Sequence, residues 1–191
     1  MKNILLGFDF SITGPSLCIH ESNDDSFSFN NCRFIYITKT KKYADIFLNG
    51  QLTGVHYDGT GKHWTSRFDY LSDVFMKEIS KYNVKIAAIE GYSMGSKNGR
   101  ITDIAECTGI LKYKMYKAGI QMIVPAPTEI KKFFTGKGSA DKTAMYNQWL
   151  AETNVNLVEL MAYDKKKIES PVSDIVDSYA VCKFLHKNKI N

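Results

Sequence analysis

The chain opens on an apolar run, residues 3–10, interrupted by a single acid, Asp9, and followed by a turn sequence. A second apolar stretch, residues 16–20, comes directly after Thr13-Gly14-Pro15. In residues 31–38, Cys32, Phe34 and Tyr36 alternate with Arg33, Ile35 and Ile37, the two-residue period of a strand. Three successive strands on short turns predict an antiparallel meander. Residues 39–62 are polar, carry Gly50, Gly54, Gly59 and Gly61, and read as a hairpin or a long loop.

From Trp64 the period changes. Phe68, Leu71, Phe75 and Ile79 recur at three- and four-residue steps, which predicts an amphipathic helix over 64–82. Residues 84–89 read as a short buried strand ending in Glu90. A second helix is expected over 101–118, with Gly119 as its C-cap. A strand over 121–124 is stopped by Pro125 and Pro127, and Thr128 is placed to cap a short helix through Phe133. Residues 136–139 form a flexible basic loop, and Ser139 or Asp141 starts a helix to about Ala151. Ser170 as N-cap and Pro171 at the first helical position mark a last helix running to about Lys187. Strands alternating with helices after position 64 imply an α/β fold, a sheet flanked by helices. With no repeat or linker, residues 1–191 read as one domain.

Composition sharpens this only a little. At 44% hydrophobic and 13% aromatic the chain is globular rather than disordered. A net charge of +5 suits a polyanionic partner without demanding one. Cys18, Cys32, Cys107 and Cys182 form no CxxC pair and stand at no zinc-ligand spacing with the histidines, so they are expected as reduced, buried thiols of a cytosolic protein. The N-terminal run is too short for a signal peptide, and no segment reaches the length of a membrane span. The expected location is the cytoplasm, or that of an infected host, with no membrane partner.

Acids at strand ends and helix starts carry the candidate chemistry. Asp9 lies inside an apolar strand, where a carboxylate is costly unless it is paired or binds metal. Glu90 ends the apolar run Ile86-Ala87-Ala88-Ile89. Asp174 and Asp177, three apart, share one face near the positive end of the last helix. Each acid alone has an ordinary reading as a turn or cap residue. Together, two strand ends and one helix start can converge on a point. Such oxygens suit Mg²⁺, and two ions roughly 3.5–4 Å apart would serve phosphodiester hydrolysis, with Mn²⁺ able to substitute. No Ser-His-Asp or Cys-His set competes.

These residues resemble a family. Gly7-Phe8-Asp9-Phe10-Ser11-Ile12-Thr13-Gly14 resembles the opening strand and turn of RuvC-type Holliday-junction resolvases, and Ala88-Ile89-Glu90 their second acidic strand. Gly136-Lys137-Gly138-Ser139-Ala140-Asp141-Lys142 resembles their Gly-Ser-Ala-Glu-Lys segment, and Asp174-Ile175-Val176-Asp177-Ser178-Tyr179-Ala180-Val181 their closing Asp-x-x-Asp-x-x-Ala helix. Ser66-Arg67-Phe68 is similar to the start of their first helix. The resemblance implies an RNase H-like fold, read here as a central mixed five-stranded sheet. It implies a nuclease whose metals are held by Asp9, Glu90, Asp174 and Asp177, with Lys142 near the scissile phosphate. It also implies a homodimer that makes paired nicks in a four-way junction. The divergence of the sequence suggests a phage or viral member. Two departures stand out. Where the family places an aromatic residue, three positions after the glutamate, this chain has Ser93, with Tyr92 beside it as the candidate stacking residue. The stretch between Asp9 and Glu90 is longer, the excess falling in 24–62.

Lys97, Arg100, Lys131, Lys132 and Lys137 fall on segments expected to flank the acids and are candidate phosphate contacts. Lys112, Lys114 and Lys117 read as an ordinary helix face, and the 101–118 helix is the candidate dimer surface, its apolar positions being core by default. The functional expectation is a metal-dependent, structure-selective endonuclease resolving Holliday junctions. Its rivals are a looser flap or fork nuclease, an RNA-processing nuclease on the same fold, and a catalytically silent DNA-binding module.

Overall fold

The computed structural model describes residues 3–22, 26–59, 64–92 and 101–189. Its strands are β1 (Asn3–Asp9), β2 (Ser16–Ser22), β3 (Cys32–Thr38), β4 (Ile46–Phe47), β5 (Leu52–His56), β6 (Ile86–Ile89) and β7 (Gln121–Ile123). Its helices are α1 (Trp64–Ile79), α2 (Ile101–Lys117), α3 (Pro127–Thr135), α4 (Lys142–Thr153), α5 (Leu157–Leu160) and α6 (Val172–Lys189).

The strands form one mixed sheet in the order β4-β5-β3-β2-β1-β6-β7. The meander β1-β2-β3 is antiparallel, whereas β6 pairs parallel with β1 and β7 parallel with β6. Among the described residues the sheet has seven strands rather than the expected five. The two extra ones come from the polar 39–62 stretch, where β4 pairs antiparallel with β5 and β5 pairs parallel with β3. Only Leu52 of these two strands is buried. A strand on a half-exposed sheet edge needs little apolar alternation, which is why the pattern was faint.

β1 reads as a continuous apolar run because helices cover both its faces. Leu5 joins a core with α3, α4 and α6 that includes Trp149, Val176 and Tyr179. Leu6 and Phe8 join a second core with Phe68, Leu71 and Phe75 of α1 and Leu111 and Met115 of α2. Helix α6 is buried along most of its length, so its apolar residues show no single stripe. It lies directly on β1 at Gly7, where a Cβ would stand 2.5 Å from Cys182 Cα. Only glycine permits that approach. The four cysteines are buried and unbridged. Among the described residues, no helix is long and apolar enough to cross a membrane.

Three helix starts refine the sequence reading. The cap position of α3 is Ala126, not Thr128. Pro127 takes the first turn, where a missing N–H costs nothing, and the Glu129 carboxylate accepts the Ala126 N–H at 2.7 Å. Asp141, rather than Ser139, caps α4 by accepting the Ala144 N–H at 2.8 Å. Helix α6 begins at Val172, and Ser170, expected as its cap, directs its hydroxyl to the Asp174 carboxylate.

Candidate active site

The parallel register of β1 and β6 pairs Phe8 with Ile89. Asp9 and Glu90 follow that pair at the carboxyl ends of both strands, and the Glu90 N–H donates to Phe8 O at 3.0 Å. The close seat of α6 on Gly7 then lays its first two turns over the same end, bringing in Asp174 and Asp177. The β1–β2 turn closes against that helix. A Cβ at Gly14 would stand 2.5 Å from Asp174 Oδ2, so a side chain there would displace the Asp174 carboxylate.

Asp9, Glu90 and Asp177 line a cavity of about 590 Å³ together with Lys131, Lys142 and Tyr92. Ile101, Ile104 and Met145 give it an apolar wall, and Thr108 also lines it. Asp174 is buried behind this lining. It accepts a hydrogen bond from Ser173 Oγ at 3.0 Å, and Ser173 in turn accepts one from Lys142 Nζ at 3.1 Å.

The electrostatics are those of gathered like charges. Burial pushes the Asp9 carboxyl well above the ordinary carboxylate range, and the charges of Asp174, Glu90 and Asp177 push it further. Asp177 is driven up to about 8, first by burial and then by Glu90 and Asp174. Burial also raises Glu90 and Asp174. Lys142 opposes the shift at Asp9, Asp174 and Asp177, and Lys131 opposes it at Glu90 and Asp177. Four acids from three elements thus share one end of the sheet with Lys131 and Lys142, and Lys165 also opposes the shift at Asp174.

Among the described residues, no three His, Cys, Asp or Glu side chains close around a point as a finished set of ion ligands. The cluster is open. Carboxylate oxygens are the donors a hard divalent cation takes, and such an ion can keep several waters beside one or two carboxylates. The hard oxygen donors match in kind, and the uncompensated negative charge matches in sign.

Other expected residues divide. Tyr92 lines the cavity, with Lys112 Nζ 5.1 Å from its ring centroid, so Lys112 belongs to the rim and not to an ordinary helix face. Lys131 lines the cavity, whereas Lys132, its neighbour on α3, is exposed and does not. Lys137 is exposed in the turn before α4. Lys97, Arg100 and Ser93 lie outside the described residues. Lys114 instead ties α2 to α1 through Asp69 and Asp73, each at 2.6 Å. On the 101–118 helix, Leu111 and Met115 are core. Sequence reading missed Ser173 and Thr108, and saw Ser170 only as a helix cap. Thr108 lines the cavity, and its buried hydroxyl has no hydrogen-bond partner among the described residues. Nothing in the residue pattern distinguished these hydroxyls from helix filler.

A mixed sheet with an antiparallel meander continued by two parallel strands, one acid at the end of each of β1 and β6, and an acidic pair on the helix crossing them define an RNase H-like nuclease. The family model of the crossover junction endodeoxyribonuclease RuvC matches residues 52–180, and the chain belongs to that family, the nucleases that resolve Holliday junctions. No curated protein sequence matches the chain significantly. Among solved structures, Thermus thermophilus RuvC in complex with a Holliday junction substrate is similar over 98% of this chain and 96% of its own, with 12% identity and a TM-score of 0.64. The yeast mitochondrial Holliday junction resolvase Ydc2 is similar over 97% of this chain and 78% of its own, with 14% identity and a TM-score of 0.57. These likenesses extend the RuvC fold to the N-terminal part that carries Asp9.

Proposed function

We propose that this chain resolves Holliday junctions by Mg²⁺-dependent phosphodiester hydrolysis in the cavity lined by Asp9, Glu90 and Asp177. The observation that carries this is the convergence of four carboxylates from β1, the end of β6 and α6 on one sheet end, opposed by Lys131 and Lys142 in the cavity and by Lys165 at Asp174. Asp9, Glu90 and Asp177 would hold the metal from the cavity, and Asp174 would complete the set from behind it. When bound, divalent ions supply an activated water and stabilise the departing oxygen.

The chain's own groups do the rest. Lys142, in the first turn of α4, faces the cavity and sits where its ammonium meets a phosphate oxygen. Its bond to Ser173 holds it there and links its position to Asp174. Lys131 balances Glu90 and Asp177 and offers a second phosphate contact, while Tyr92 offers a ring for stacking at the mouth. Lys132 and Lys137 extend the basic rim. A two-fold homodimer would set one such cavity against each of two opposed strands of the nearly two-fold four-way junction.

The test is a cleavage panel of four-way, Y-shaped, flap and linear DNA, with an RNA duplex, each with Mg²⁺, Mn²⁺ or EDTA. Paired nicks in the four-way junction are expected with either ion, none in EDTA, and none with Glu90→Gln. Equal cutting of every DNA would overturn junction selectivity, and cutting in EDTA would overturn the metal mechanism.

A further inference from the structure

The strands that follow Asp9's direction carry a second feature to the same end of the sheet. β1 and β3 both run antiparallel to β2, and β5 is parallel to β3, so all three end on one edge. β5 lies three strand spacings from β1, about 14 Å along that edge. Tyr57 follows β5 there, its N–H donating to Thr38 O at 3.0 Å.

Around Tyr57 the chain gathers aromatic rings and cations. Tyr57 and Tyr70 stack with centroids 5.0 Å apart and planes 24° from parallel. The Arg67 guanidinium lies 5.6 Å from the Tyr57 centroid and 5.7 Å from that of Trp64. Arg67 also donates to Ile12 O, in the turn whose Ser11 lines the catalytic cavity. Trp64 and Tyr70 are 43% and 40% exposed, a large aromatic area left in water. The Lys39 ammonium lies 3.6 Å from where a Gly59 Cβ would stand. The nearby acids of α1, Asp69 and Asp73, are engaged by Lys114.

Resting on the proposed junction chemistry, we propose that Tyr57, Trp64, Arg67 and Tyr70 form a stacking platform for unpaired bases of branched DNA, on the same sheet edge as the carboxylates. Exposed rings beside a guanidinium take the face of any base, and the adjoining cations meet its phosphates. The edge leads from the platform to Asp9, so one strand can reach both. Branch points supply such unstacked bases, whereas a paired duplex does not. Part of the extra length between Asp9 and Glu90 thereby gains a role, since β5 carries Tyr57 to this edge.

Trp64 reports on the platform directly. The chain's other tryptophan, Trp149, is fully buried. A four-way junction titrated into the full chain in EDTA should quench Trp64 emission, and a fully paired duplex should quench it less. Trp64→Phe should lose the signal. Tyr70→Ala should weaken junction binding on the order of tenfold while leaving the cleavage rate at saturating junction unchanged. Unchanged Trp64 emission while a labelled junction is seen to bind would overturn the platform and leave the active site standing. An emission change on concentrating the protein without DNA would assign the rings to self-association. Junction binding and Trp64 quenching retained in Asp9→Asn, with cleavage lost, would separate the platform from the chemistry. Absence of any junction binding would sink both readings.

Discussion

Two charged clusters in this molecule follow opposite rules. At the seam of α1 and α2, Lys114 stands 2.6 Å from both Asp69 and Asp73, with those acids 60% and 62% exposed. Opposite charges are paired there in water, an arrangement that contributes little. At the carboxyl end of β1 and β6, Asp9, Glu90, Asp174 and Asp177 are brought together under partial or full burial, opposed by Lys131, Lys142 and Lys165. That arrangement costs stability, and the fold holds it in place by close backbone packing at Gly7 and by the Gly14 turn set against the Asp174 carboxylate. A cluster that weakens the protein yet is built so carefully marks where binding energy is to be spent.

The comparison breaks most visibly at Asp9. Asp9→Asn should reduce junction cleavage by about 10³-fold or more, several kcal/mol of lost transition-state stabilisation, while single-turnover assays and gel shifts show junction binding retained. Lys142→Ala should follow with a loss of about 10²–10³-fold in the cleavage rate, the scale for removing one donor aimed at developing charge. Ser173→Ala, which severs the link between Lys142 and Asp174 without touching DNA, should cost about 10–100-fold, read as a shift in the Mg²⁺ concentration needed for half-maximal rate.

Stability sharpens the contrast. The folded-state pKa of Asp177 lies near 8, above its value in the unfolded chain. The folded protein therefore holds protons that the unfolded chain has released, and stability falls as pH rises between about 4 and 8. In EDTA, melting should come at a higher temperature at pH 5.5 than at pH 8.5. Asp177→Asn should flatten that slope and raise the melting temperature at pH 8.5 by about 3 °C or more. Added Mg²⁺ should raise it as well. The smallest effect belongs to the exposed seam: Lys114→Ala should lower the melting temperature by about 3 °C or less, at any pH in that range, and leave cleavage unchanged.

Much of this was legible along the chain. The strands β1, β2, β3, β6 and β7 and the helices α1, α2, α4 and α6 follow from period and punctuation. Asp9 and Glu90 stood out because an acid is expensive in an apolar strand, and Asp174 and Asp177 because of their spacing. The hairpin reading of 39–62 holds for the antiparallel β4–β5 pair, but the joining of β5 to β3 in the main sheet was not legible, since it rests on backbone pairing and little apolar surface is buried there. Thr128 was a plausible cap on its own chemistry, yet Pro127 and Glu129 set the helix start two residues earlier, at Ala126. Lys112 looked like surface because its partner, Tyr92, is twenty residues away.

The sequence alone determined which residues carry charge into apolar surroundings, because burial cost acts on each residue type wherever its neighbours are apolar. Only the tertiary structure decided which of them meet. That Asp9 pairs beside Glu90 depends on a parallel register, that Asp177 faces both depends on a missing side chain at Gly7, and that Tyr57 shares their edge depends on the direction of β5. Period and composition act within a few residues, whereas register, helix seating and strand direction are settled by contacts between segments far apart in the chain.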